Sequence, residues 1–507
     1  MENTDSKKTG KSIFRNVLYG FSTWFLPLGL SFFATPIIVK NLGNEDYGIY
    51  ALVLGVISYT FNVNFGRAVT KYIAEYRAAG ANEKIREVVT ASLLINLTFG
   101  VVAVLTICFS ARWLANDVFQ IAPDDQTKAV VALYIAALTI FSLMLNQVFS
   151  AILQGIYRFD VYSKIFNFNN VATLTGNLIL AYQGFGLTHL LGWNLAVNCV
   201  AGALFVAAAK RLLPEFGFGL RVQTDSLKMV FGYSAGIIGY QILANILSLF
   251  ERGWITRQLG AENLTFYVVP MQLSFYIHGF VGSIILIVFP LASELQNEPE
   301  KLLRLYHKAS KIVCFFVFFL ATLLIVESRL FLSLWMGADF GEKTYFLLII
   351  HTVTFSLVAI QAVSWQMTEG LGYPSYNTFI FVICLIINVL ALTIFTSEYG
   401  IYAAAFGRLL GFGAMFFSIF YVERWFFKSV QIGFWLNVAV RLGAAALISG
   451  VAQSLVIVNF GTGWLSFLAA ATLGGIVYCL VLLVLRFITA EERLFIKNLL
   501  RRKNDNE

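Results

Sequence analysis

Apolar stretches long enough for a helix to cross a membrane recur along almost the whole chain, and nothing else in the sequence restricts its fold as much. About 20 such residues in a helix span the ~30 Å hydrocarbon layer. Fourteen spans are expected, at approximately 16–39, 47–66, 89–111, 129–153, 165–184, 187–209, 229–259, 264–290, 312–334, 344–367, 376–396, 400–422, 435–458 and 464–485. Composition agrees. Of the 507 residues 58% are apolar and 13% charged, against roughly 25% charged in a soluble protein. The fold class is all-α integral membrane.

An even number of spans leaves both termini on one side, and the side follows from Lys and Arg. With the N-terminus inside, about three quarters of the 36 Lys and Arg fall on inside segments. Both termini are therefore expected in the cytoplasm, with tails at 1–15 and 486–507. The net charge of +8 is explained by this bias and by contact with anionic lipid, so no nucleic-acid partner is expected. Cys108, Cys199, Cys314, Cys384 and Cys479 lie inside apolar runs without pairing or metal spacing, as small hydrophobes do. No loop is long enough for a soluble domain. Arg67–Val88, with Lys71 and Glu75 one helical turn apart, reads as an amphipathic helix at the interface.

The two halves of the chain resemble each other. Val39-Lys40-Asn41-Leu42-Gly43-Asn44-Glu45 aligns with Thr256-Arg257-Gln258-Leu259-Gly260-Ala261-Glu262, and Tyr50 then meets Tyr267. Glu83-Lys84-Ile85 meets Glu300-Lys301-Leu302, Gln154-Gly155-Ile156 meets Glu369-Gly370-Leu371, and Gly186-Leu187 meets Gly400-Ile401. Four matches in one order at nearly constant offset define a six-span repeat. An even unit enters the membrane in the same direction twice, the parallel-repeat arrangement of transporters. The expected organisation is a six-helix lobe at 16–209, a cytoplasmic linker at 210–228, a second lobe at 229–422 related by a pseudo-two-fold, and two extra helices within 435–485.

The same segments carry a family resemblance. Asn16, Pro36, Leu42-Gly43-Asn44-Glu45-Asp46-Tyr47-Gly48-Ile49-Tyr50, Asn64-Phe65-Gly66 and Lys71-Tyr72-Ile73-Ala74-Glu75 resemble the opening of bacterial polysaccharide exporters. Gln154-Gly155, Arg158-Phe159 and Gly184-Phe185-Gly186-Leu187 continue it. The family is that of the Wzx-type oligosaccharide flippases, in the multidrug/oligosaccharidyl-lipid/polysaccharide exporter superfamily. The resemblance implies a V-shaped alternating-access fold in the bacterial inner membrane. It also implies an undecaprenyl-diphosphate-linked oligosaccharide as substrate, for O-antigen, capsule or exopolysaccharide assembly. Partners would be the bilayer and that lipid, with a polysaccharide polymerase and a chain-length regulator beside them.

Such a task makes and breaks no bond, so neither an enzyme nor a cofactor is expected. It needs a wet cavity with cations for diphosphate and hydrogen-bonding groups for sugars. In span 7, Gln241, Asn245, Ser248 and Arg252 form one helical stripe, facing a cavity or gluing helices. Glu251, about 100° around the helix, could couple protons or form a structural pair. His278 in span 8 could bind the headgroup or sit satisfied in a core. Arg408 is an isolated cation in span 12, and Arg67 closes span 2 at the inner face, where it is a positive-inside anchor or receives entering diphosphate. Span 5 carries Asn167, Asn170, Thr173 and Asn177 as another stripe, and span 10 carries His351 and Gln361.

Rival functions are a lipid II flippase, expected to gather several cavity arginines, and a drug/cation antiporter, expected to hold an acid deep in spans 1–6. A membrane glycosyltransferase or polymerase would need carboxylates on a large outer loop. Asp117, Asp124 and Asp125 between Arg112 and Lys128 read instead as a solvated turn. Gly10-Lys11-Ser12 resembles the end of a phosphate loop, but Asp5 stands where glycine is needed.

Overall fold

A computed structural model of the chain describes residues 26–59, 66–213, 224–285 and 288–487. Among these residues every regular element is helical. Ten helices among the described residues are long and apolar enough to cross a membrane, so the protein is a multi-pass membrane protein. Large apolar side chains face outward along them: Phe109, Leu447, Val458, Leu465 and Val484 are each at least 74% exposed. In water such a surface would aggregate; in a bilayer it is solvated by acyl chains.

The first compact unit holds residues up to Thr265 together with Thr396–Ile401. It begins with α1 (Leu26–Leu42) and α2 (Asn44–Tyr59), followed by α3 (Gly66–Ala78) and α4 (Asn82–Trp113). Next come α5 (Gln126–Gly155), α6 (Phe159–Tyr182), α7 (Leu187–Leu212) and α8 (Thr224–Leu259). α5 is the axis of this unit, packed along both α4 and α7. Ile73, Ile85, Ile152, Leu153 and Phe205 bury themselves together at one end of it. α8, expected to open the second lobe, packs on α2 and α4.

The reading of Arg67–Val88 as one interfacial helix is corrected. The segment is two helices, α3 and the first turns of α4, separated at Gly80, whose φ of +68° a side chain would resist. Ile73 is fully buried in the core while Lys71 and Glu75 are exposed, so α3 is amphipathic against protein on its apolar side. The connection between α4 and α5 is also shorter than expected. A π-helical turn at Leu114–Val118 prolongs α4, and a 3-10 turn at Pro123–Asp125 precedes α5. Asp125 is buried rather than solvated, because its carboxylate takes Lys128 at 2.7 Å.

The second unit comprises Phe266–Phe395 and the residues from Tyr402 on. It contains most of α9 (Ala261–Ile285), then α10 (Val288–Glu294), α11 (Pro299–Val326), α12 (Ser328–Met336) and α13 (Ala338–Gly370). α14 (Pro374–Tyr399), α15 (Ile401–Gly413), α16 (Phe417–Tyr421), α17 (Ile432–Phe460) and α18 (Trp464–Val484) complete it. α13 is its most buried helix and packs against α10, α11 and α12. α17 and α18 pair with each other and dock on α11 through Cys314, Leu442, Ala445 and Tyr478. The ninth expected span, 312–334, ends instead at Val326. The helix breaks at Glu327 and restarts as α12.

Candidate functional site

The corners of two segments that match in sequence meet at one end of the first unit. α1 ends at Gly43 (φ +82°) and α8 at Gly260 (φ +88°), left-handed positions that let the next helix start at once. The Asn44 side-chain amide donates to Glu262 Oε1 at 3.3 Å, and the Thr265 hydroxyl donates to the Asn44 carbonyl at 2.5 Å. Gly48 lies so close to the start of α9 that a Cβ there would sit 1.8 Å from the Ala261 carbonyl oxygen. Beside this contact Lys128 bridges Asp46 at 3.3 Å and Asp125 at 2.7 Å. The two matched segments thus form a tight polar corner.

Below that corner α8 presents the expected polar stripe. Gln241, Asn245 and Ser248 are half-buried. Arg252 reaches across to α2. Its Nη1 donates to the Ala51 carbonyl, its guanidinium lies 5.4 Å from the Tyr59 ring, and its stem fills the space left by Gly55. Glu251 is fully buried at 1% exposure. The structure therefore gives Arg252 an interhelical bond in this conformation, together with partial exposure.

The other expected residues are not gathered there. Arg408 is 5% exposed inside the second unit, its Nη1 3.2 Å from Met271 Sδ and its guanidinium over the rings of Phe355 and Phe412. His351 is buried beside the Tyr267 ring at 4.8 Å, and neither of its ring nitrogens has a hydrogen-bond partner. His278 is half-buried on α9, its ring 5.8 Å from Phe275 and its Nδ1 without a partner. The Arg67 side chain, like Gly10-Lys11-Ser12, lies outside the described residues. The α6 stripe is partly glue: Asn177 donates to the Tyr50 hydroxyl at 3.1 Å, with Asn194 of α7 at 3.3 Å from the same oxygen.

A cavity of about 300 Å³ lies inside the first unit, between α2, α5, α6 and α7. Among the described residues its polar lining consists of Asn146, Gln147, Asn169 and Asn198, with Ser58 and Ser150, and no charged side chain. Asn146 donates through Nδ2 to the Asn198 carbonyl at 2.9 Å and to its Oδ1 at 2.5 Å, tying α5 to α7. Gly202 makes room for that pair, since a Cβ there would lie 2.2 Å from Asn146 Oδ1. Tyr162 forms an aromatic wall, stacked on Phe166 at 5.7 Å and on Phe205 at 6.1 Å. Gln147 Oε1 and Asn169 Oδ1 are buried without a donor. These amides were missed by the sequence reading, which followed stripes along single helices. The available signal was one amide or pair on each of three helices near the same membrane depth. No group of acidic, His and Cys side chains suited to a metal occurs among the described residues, and all five cysteines are free.

Comparison with known proteins agrees with this architecture. The family model for polysaccharide biosynthesis proteins matches residues 37–345. The chain is 21% identical over 406 residues to a putative O-antigen transporter of Shigella flexneri, covering 78% of this chain and 93% of that protein. It is also 21% identical over 346 residues to an uncharacterized membrane protein, EpsK, of Bacillus subtilis (strain 168), covering 66% and 67%. Among solved structures, the inward-facing conformation of a multidrug resistance MATE family transporter superposes with a TM-score of 0.67 at 16% identity, covering 83% of this chain and 98% of that one. The lipid II flippase MurJ, in an inward closed conformation, superposes at 0.66 and 16% identity, covering 92% and 98%. Because the family model spans more than half its length, this multi-pass membrane chain belongs to the polysaccharide biosynthesis protein family, and its helices take the fold of those two transporters.

Proposed function

We propose that the protein flips a polyprenyl-diphosphate-linked oligosaccharide from the cytoplasmic to the outer leaflet of a bacterial inner membrane, by alternating access. The observation that carries this reading is the amide-and-aromatic cavity held within membrane-length helices. A sugar crossing hydrocarbon forfeits its water hydrogen bonds, at several kcal/mol for each unpaired hydroxyl. A cavity whose polar groups are amides replaces those bonds without demanding a charge. The diphosphate needs a cation, and Arg252 is the residue we assign to it. Its planar fork suits phosphate oxygens, and releasing the Ala51 carbonyl would free the donors. Likeness to the Shigella flexneri protein named as an O-antigen transporter supports the substrate class, and likeness in fold to a lipid II flippase supports flipping as the mechanism. Neighbouring polymerase and chain-length regulator proteins belong to the same reading.

The test is leaflet exchange in proteoliposomes containing the full chain and a fluorescent polyprenyl-diphosphate trisaccharide. Membrane-impermeant quenching of the whole probe pool, against half of it in empty vesicles, is the expected result. Parallel vesicles carry lipid II or a lipophilic drug cation. Exchange of either in place of the trisaccharide lipid would transfer the function to one of the rival readings.

A further inference from the structure

In the second unit, α12 is a nine-residue helix set between two backbone breaks. α11 stops at Val326 and Glu327 turns the chain before α12; Gly337, at φ +103°, turns it again before α13. α12 lies tight on α13, since a Cβ at Gly341 would stand 2.6 Å from the Ser333 backbone nitrogen. Phe331 meets the Phe467 ring of α18 at 5.4 Å. On the open side Arg329 pairs with Glu342 at 2.6 Å, an exposed ion pair of the kind that contributes little. Burial of Leu330, Phe331 and Leu332 is therefore the main hold on α12.

At the first break stands a carboxyl group that makes no hydrogen bond. Glu327 is 1% exposed, and neither of its carboxyl oxygens meets a donor. The elements around the break carry their charges elsewhere. α12 and α13 place theirs near this end in exposed pairs, Arg329 with Glu342 and Lys343 with Asp339 at 3.1 Å, and Tyr345 lies beneath Arg329. The last charge of α11 is Lys311, roughly 24 Å along the helix before Glu327. α17 carries Arg441, bonded to the Arg486 carbonyl at 2.9 Å, and α18 carries only Tyr478 and Cys479 as titratable groups. A carboxylate in such a place would lose its hydration without gaining a donor or a counter-charge, so the group keeps its proton. Glu327 lies beyond the span that ends at Val326, and burial pushes its carboxyl up to about 7.

We infer that Glu327 is a proton-binding site that couples the seating of α12 to pH: the carboxyl holds a proton while α12 is seated on α13, and gives it to water when α12 lifts and the break is wetted. The O–H bond breaks, its electron pair stays on the carboxylate, and one proton leaves for each opening. This holds whatever the protein carries, so the site stands apart from the flippase reading. Below pH about 4.5 the group is neutral in both states and opening is indifferent to it. As pH rises the lifted state gains the charged form while the seated state stays neutral, so the seated state loses ground up to about pH 7. Above that both states ionise and the preference stops growing.

The experiment follows backbone hydrogen exchange of residues 328–336 by mass spectrometry, on the full chain in lipid nanodiscs at about pH 5 and about pH 8. The parent is compared with Glu327→Gln, which keeps the shape and cannot ionise. Comparing the two at one pH cancels the intrinsic pH dependence of amide exchange. At about pH 8 these amides should exchange roughly 10-fold or more faster in the parent, one pH unit being a factor of ten in the protonation ratio. At about pH 5 the two proteins should exchange alike. Infrared difference spectra supply a second readout. The parent should lose a carboxylic acid C=O band with a midpoint near 7, and Glu327→Gln should lack that change. Glu327→Leu serves in both measurements if the Gln variant does not fold. Equal exchange at about pH 8, or no band lost from the folded parent near neutrality, would overturn the site. Glycolipid leaflet exchange is scored in parallel vesicles. A titrating Glu327 without leaflet exchange would uphold this inference and defeat the proposed function, whereas leaflet exchange with a silent Glu327 would do the reverse.

Discussion

Arg252 illustrates how one side chain can serve two demands. Its guanidinium is bonded to the Ala51 carbonyl and overlies Tyr59, so it braces α8 against α2. The assignment to diphosphate requires that this brace open. Arg252→Ala should lower glycolipid exchange at least 10-fold, about 1.4 kcal/mol, with normal membrane expression. Arg252→Lys should retain part of the activity, as a point charge without the fork. Wild-type exchange in a well-folded Arg252→Ala protein would remove the residue from the transport path. A fall in melting temperature with full residual activity per folded molecule would leave it only the brace.

Gly48 is a residue whose role is steric. A methyl group there would stand 1.8 Å from the Ala261 carbonyl oxygen, a backbone atom that cannot swing aside. Overpacking typically costs about 1–3 kcal/mol, and Gly48→Ala should therefore lower the thermal midpoint of the purified protein and part the Asn44–Glu262 contact. A cysteine pair at Asn44 and Glu262 reports that parting: it should form a disulfide readily in the parent and slowly with Gly48→Ala. Equal rates and equal midpoints would show that the corner is looser than its backbone contact indicates.

At the scale of elements, one carboxyl group ties the start of α17 to α11. Glu423, in the π-helical turn Val422–Phe426, is completely buried. It accepts from the Tyr306 hydroxyl of α11 at 2.9 Å, from the Gln431 backbone N–H at 2.7 Å, and from Trp435 Nε1 of α17 at 2.5 Å. The turn leaves its helix with five residues to a ring, which turns Glu423 toward these donors. Glu423→Ala would orphan the buried Tyr306 hydroxyl, at about 1–3 kcal/mol, and remove the acceptor of the part-buried Gln431 and Trp435 donors. The expected outcome is a lower melting temperature and protease cleavage between residues 424 and 431, with Glu423→Gln intermediate because one amide oxygen still accepts. Unchanged cleavage in Glu423→Ala would mean that the apolar contact of Leu442, Ala445 and Tyr478 with α11 holds these helices by itself.

Element boundaries show where local sequence stops being informative. The apolar runs mark helices because hydrocarbon leaves a helix as the way to pair backbone groups. They do not mark the break at Glu327, where apolar residues continue on both sides, nor the 3-10 and π turns that divide 400–426. Those depend on side chains from other helices. The same limit applies to the site. Gln241, Asn245, Ser248 and Arg252 were visible because one helix carries them all. Asn146, Gln147, Asn169 and Asn198 converge from three helices, and no spacing along the chain records that.

For the whole molecule, orientation is the property on which the functional reading depends. We propose from the Lys and Arg bias that both termini lie in the cytoplasm and the turn at Pro123–Asp125 outside. Asp124 is exposed there. In intact cells with a permeabilised outer envelope, Asp124→Cys should react with an impermeant maleimide and Ser6→Cys should not. Labelling at Ser6→Cys alone would invert the protein and with it the direction of transport.

The sequence by itself determined that the chain is helical and that it lives in a membrane, because each of these is a consequence of hydrophobicity read along one dimension. It also placed Leu42-Gly43 and Leu259-Gly260 as corresponding corners, since a left-handed residue between two helices demands glycine at both. Tertiary structure decided which polar groups are used up and which are left over. Tyr50 consumes Asn177 and Asn194, Ala51 engages Arg252, and aromatic rings enclose Arg408. Gln147 and Asn169 keep unpaired oxygens beside an aromatic wall. A buried polar group has only the partners that packing brings within about 3 Å, and packing joins residues that the chain holds far apart.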